Sequence, residues 1–181
     1  EEIRPPRSDS LSAPPDPALF VFARPISELL DIPDEDPDWM VDQLFTASSN
    51  GWIGAEPKVG KSWVGLELGY CLATGDAFLG RFAVSVRRKV LYVQEEDSRR
   101  RVRRRLGQII NGNPLRSRPS DEYFRYAIRE GFRIDNPFWI EILRLEVIGF
   151  RPEVIILDVF NQLHGKNEND QKEMTEILRI L

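Results

Sequence analysis

Gly60, Lys61 and Ser62 close the stretch GAEPKVGKSW, residues 54–63, and that order of residue types suits the holding of a phosphate group. A glycine lets backbone N–H groups close around an anion, a lysine reaches it with positive charge, and a neighbouring hydroxyl can ligate a hard cation. The spacing is A/G-x-x-x-x-G-K-S/T, with Ala55 where glycine is usual. Alanine is the smallest residue that could stand at the tight exit from a strand, so the departure is tolerable. The candidate cradle is Ala55, Glu56, Pro57, Lys58, Val59, Gly60, Lys61, Ser62 and Trp63, with Glu56 as its one acid.

Two acidic groups could complete such a site. Asp158 ends the apolar run VIILD, where an acid at a strand end can hold Mg²⁺, usually through water, opposite the Ser62 hydroxyl. Many such strands end in Asp for capping alone, so the assignment depends on the phosphate loop. Glu95, Glu96 and Asp97 end KVLYVQEED, where a carboxylate can orient and polarise an attacking water. One of the three could merely favour the N-terminus of the following helix. Glu96 is the preferred base and Asp97 its accessory neighbour.

The elements that must position these residues follow from periodicity. GWIGA, Gly51 to Ala55, is a short apolar run expected to be a buried strand leading into the loop. Lys61 to Thr74 has helical spacing, with Val64, Leu68, Cys71 and Leu72 on one stripe, Gly65 and Gly69 beside it, and Gly75 as its stop. A second buried strand is expected over Lys89 to Asp97, then a helix from about Ser98 to Ile110 on the stripe Val102, Leu106, Ile109 and Ile110. YFRYAIREGFRI alternates as strand or hairpin material. Asp135 or Asn136 before Pro137 marks a helix start, Glu153 to Phe160 reads as a third buried strand, and a last helix is expected over Asn169 to Leu181. Unbroken apolar strands alternating with helices predict an α/β fold with a mostly parallel sheet flanked by helices, and ligands at the carboxyl ends of its strands.

Composition narrows the rest. The 181 residues carry a formal charge of −4, so nucleic-acid contact would need a local basic patch. Cys71 and His164 are the single cysteine and histidine, which excludes a disulfide framework or a Cys/His zinc cluster and fits a reducing, cytoplasmic setting. No run is long and apolar enough for a bilayer, and no membrane partner is expected. Eight of the thirteen prolines lie in residues 1–37, read as a flexible or extended leader ahead of a globular part over 38–181. Six arginines between Arg99 and Arg105 surround a narrow apolar stripe, as on a solvated or subunit-contacting helix face; nucleic-acid contact is the other reading.

GAEPKVGKSW, KVLYVQEEDSRRRVRRRL and RPEVIILDVFNQLHGKNENDQKEM together resemble the RecA-like P-loop ATPases of the group that includes the hexameric plasmid replicative helicase RepA, AAA_25-like, from about Trp39 to Leu181. The GKS loop is widely shared; the YVQEEDS segment and the stretch after VIILD are far more specific. The resemblance implies ATP and Mg²⁺ as cofactors, Lys61 and Ser62 at phosphate and magnesium, Asp158 as Walker B acid and Glu96 as catalytic base. It also implies a hexameric homo-oligomeric ring, single-stranded DNA as a partner, and Asn161 to Asn169 approaching the ring's channel, with His164 as a channel or nucleotide-sensing candidate. A lone loop histidine can also be simply solvated or hydrogen-bonded. In that family a further central strand follows the Walker B strand, so an ATPase core incomplete at its C-terminus is expected, with exposed apolar edges and slow turnover when isolated. A replicative helicase motor is favoured; a RecA/RadA-like recombination or repair ATPase and a non-enzymatic nucleotide-switched module are the alternatives.

Overall fold

The computed structural model describes residues 23–33, 36–56, 58–165 and 175. The chain divides into two units, residues 1–36 and 37–181. In the first, Ile26–Leu30 form a short helix, α1, which buries none of its residues.

The second unit is built on three parallel strands, β3 (Val90–Gln94), β4 (Phe124–Ile128) and β5 (Val154–Asp158), in the order β4-β3-β5. The central strand, VLYVQ, is buried along its whole length, because helices cover both faces and strands flank both edges. In register, Tyr92 lies beside Ile156 and Gln94 beside Asp158. A small antiparallel pair, β1 (Trp39–Val41) and β2 (Phe45–Thr46), adds the fully buried Val41 to the core.

Two helices serve one face. The first, α2 (Lys61–Thr74), buries Leu66, Leu68, Tyr70, Cys71 and Leu72 and ends at Gly75, whose φ of 84° is the left-handed C-terminal stop expected of it. Burial pushes the Cys71 thiol up to about 12, which leaves it protonated and inert. Gly65 and Gly69 bring its backbone down onto β5: a Cβ at Gly69 would lie 3.1 Å from Ile156 and 3.2 Å from Phe124. The second, α3 (Arg99–Asn111), buries Val102 and Ile109 in the same cluster. On the opposite face α4 (Pro137–Phe150) packs Trp139, Ile140 and Leu143 against Leu91, Val93, Phe132 and Ile134. It starts as its sequence predicts, with the Asn136 side chain accepting from Phe138 N–H and Pro137 in the first turn.

One expected element differs. Gly51 to Ala55 form no strand, and all five residues are exposed. The run contains two glycines and lies in no β-ladder, so an apolar pattern alone does not secure it. Side-chain contacts hold it instead: the Trp52 ring meets Phe160 edge-on at 5.0 Å, and Gly51 lies against the Phe45 ring. The loop expected to cradle phosphate therefore opens from a segment outside any strand rather than from a strand end. The helix expected over Asn169 to Leu181 lies outside the described residues apart from Thr175, which is helical.

Candidate nucleotide site

The loop turns into α2 through two left-handed residues, Lys58 with φ 70° and Gly60 with φ 101°. Gly60 is the N-cap of α2 but makes no side-chain cap, and the first turn holds no acid. N–H groups at a helix start with neither kind of partner favour an anion. A Cβ at Gly60 would meet nothing within 4 Å, so glycine is required there by backbone conformation, not by crowding. Pro57 lies outside the described residues; Ala55, Glu56 and Val59 are exposed, as is Trp63 on the first turn of α2.

Lys61 folds back over this loop, its Nζ donating to the carbonyls of Ala55 at 2.6 Å and Glu56 at 2.9 Å. Those neutral acceptors are ones a phosphate could replace with charged oxygens. The next residue reaches across the fold: Ser62 Oγ donates to Asp158 Oδ1 at 3.0 Å, joining positions 96 residues apart. A hydroxyl and a carboxylate oxygen side by side are hard donors of the kind Mg²⁺ prefers, and they leave room for phosphate and water as further ligands. The donor set thus fits that ion.

The three acids after β3 have separate fates. Glu95 is spent on structure, its carboxylate accepting backbone N–H groups from Glu130, Gly131 and Phe132 at 3.0 to 3.1 Å. Asp97, 4% exposed, pairs with Arg101 at 2.6 Å and with Arg105, while its own N–H donates to Gln94 Oε1. It offsets the arginines crowded into the first turns of α3, where positive charge opposes the helix dipole. Glu96 is exposed and makes no hydrogen bond or ion pair with the described residues. Among the three, it alone is free to act on a ligand.

His164 is buried rather than solvated. It is 5% exposed, both ring nitrogens lack a partner among the described residues, and its ring stands edge-on to Phe160 at 5.0 Å. Fully buried Leu163, whose carbonyl accepts from Ile134 N–H at 2.7 Å, draws this segment into the α4 side of the core. A channel-facing His164 would require that segment to rearrange. Of the six arginines, Arg99 pairs with Glu130, and Arg101 and Arg105 with Asp97. Arg100, Arg103 and Arg104 remain exposed without an ion pair among the described residues.

The sequence reading passed over Tyr92, whose hydroxyl donates to Asp158 Oδ2 at 2.6 Å inside the protein. A tyrosine among the aliphatic residues of a buried strand was the available signal, because a buried phenol needs a partner.

A family model described as an AAA domain, AAA_25, matches residues 16–181. The chain belongs to this AAA domain family. No curated protein and no solved structure matches it. An AAA domain is a nucleotide-binding ATPase domain. No helix among the described residues is long and apolar enough to cross a membrane.

Proposed function

We propose that this AAA domain is the Mg²⁺-dependent ATP-hydrolysing core, residues 38–181, of a RecA-like motor of the RepA helicase type. The observation that carries the reading is the 3.0 Å approach of Ser62 Oγ to Asp158 Oδ1, which unites the phosphate loop with the strand-end acid. Lys61 exchanges its loop carbonyls for the phosphates, and the N–H groups at the start of α2 hold their oxygens. Ser62 and Asp158 would hold Mg²⁺, which when bound would supply positive charge to the phosphate oxygens. Glu96, unencumbered at the end of β3, accepts a proton from the attacking water. A free carboxylate there favours turnover over a nucleotide-switched module, which needs no positioned base. The hexameric ring and single-stranded DNA belong to the same proposal by resemblance, with Arg100, Arg103 and Arg104 as exposed charges, without an ion pair among the described residues, available to either.

The test is Mg²⁺-dependent ATP hydrolysis, with and without single-stranded DNA, by the protein and by Glu96→Gln. ATP binding is expected to persist while turnover falls about 10²- to 10⁴-fold. Equal turnover in both would remove Glu96 from the mechanism, and DNA-independent turnover would remove the motor reading. Failure of the unsubstituted protein to bind ATP would remove the ATPase reading itself.

A further inference from the structure

Tyr92 sits at the middle of β3 and is 1% exposed. Its register partner in β5 is Ile156, so Asp158, two residues on, projects from the same face of the sheet. The two oxygens of Asp158 are divided between two donors: Oδ1 accepts from Ser62 at 3.0 Å, and Oδ2 accepts from Tyr92 at 2.6 Å.

The Tyr92 ring packs on Phe124, centroids 6.3 Å apart and planes 28° from parallel. Phenylalanine would keep that packing and avoid burying a hydroxyl, so the hydroxyl must be accounted for by what it touches. Fixed on the central strand, it fastens one oxygen of a carboxylate that would otherwise rotate about its terminal torsion. The other oxygen is thereby held toward Ser62.

We propose that Tyr92 is a positioning residue for the metal-nucleotide site: it orients the Asp158 carboxylate so that Oδ1 is presented beside the Ser62 hydroxyl for a divalent cation. The inference rests on the ATPase reading. Tyr92 contributes no ligand of its own and acts through Asp158, as second-layer hydrogen bonds to metal-binding carboxylates do.

Mn²⁺ binding in the presence of ADP, followed by electron paramagnetic resonance, tests this without turnover. Tyr92→Phe is expected to weaken Mn²⁺ binding about tenfold, in the range found when such outer-layer partners are removed. ADP affinity in EDTA is expected to stay unchanged. In an Asp158→Asn background the same substitution should have no further effect on Mn²⁺, because the carboxylate it orients is gone. Unaltered Mn²⁺ binding by Tyr92→Phe, with only a lower unfolding temperature, would reduce Tyr92 to a packing residue and overturn the proposal. A separate result, ADP binding by the unsubstituted protein that Mn²⁺ does not strengthen, would bring down the ATPase reading and this inference with it.

Discussion

The turn after β3 and the loop before α2 each carry residues suited to phosphate chemistry, but they are secured in opposite ways. At residues 95–98 the backbone is tied down by side chains: Glu95 gathers three N–H groups, Asp97 holds two arginines, and Ser98 caps α3 through Arg101 N–H. At residues 51–56 the chain is exposed and in no ladder, and among the described residues Lys61 is held by two carbonyls of the same loop. The first region presents a preformed surface from which one carboxylate stands free. The second offers a lysine whose partners are neutral carbonyls that a charged ligand could replace. Where a site is preorganised, substitutions should register in stability; where it waits for its ligand, they should register in binding.

Substitutions in each region can break that contrast. Asp97→Ala leaves Arg105 without its buried partner and should cost about 2–3 kcal/mol of unfolding free energy, less than a fully buried pair because Arg101 is solvated. Urea unfolding would measure it, and a loss under about 0.5 kcal/mol would show that the turn is not secured by this acid. Lys61→Met should change stability by less than about 0.5 kcal/mol, since only loop carbonyls lose a donor. It should nonetheless weaken ATP binding about ten- to a hundredfold, the worth of a hydrogen bond to a charged group. Titration with a fluorescent nucleotide would read the affinity, and unchanged binding would take Lys61 out of the cradle. Glu95→Gln keeps one acceptor oxygen for the turn at 130–132 and should cost only about 1–2 kcal/mol, with nucleotide affinity untouched. A large loss of affinity instead would mean that Glu95, not Glu96, meets the ligand.

Much of the scaffold was legible because its signals are local. The stripe in α2 with its glycine stop, the Asn-Pro start of α4 and the aliphatic runs of β3 and β5 each depend on neighbours a few residues away. Gly51 to Ala55 was not, since an apolar run becomes a strand only if another strand offers it hydrogen bonds, and a pattern does not contain its partner. The same distinction runs through the site. The types at Lys61, Ser62, Glu96 and Asp158 could be read as candidates for chemistry in advance. What separates Glu95 and Asp97 from Glu96 is their contact with the 130–132 backbone and with the next helix, which carboxylates of identical type in a row do not announce. The burial of His164 was hidden for a similar reason, because Leu163 and Phe160 carry it inward.

Gly65 and Gly69 sit one and two turns beyond the loop, yet they set the height at which Ser62 meets Asp158. With no side chain between the α2 backbone and Ile156, the helix rests directly on the strand whose last residue is the acid. A methyl group at Gly69 would press on the side-chain ends of Ile156 and Phe124, which would have to give by a few tenths of an ångström to keep α2 at its height over β5. The reach of the hydroxyl to the carboxylate is in this sense a tolerance inherited from steric contact elsewhere, and the ionic end of the domain is gauged by its greasiest joint.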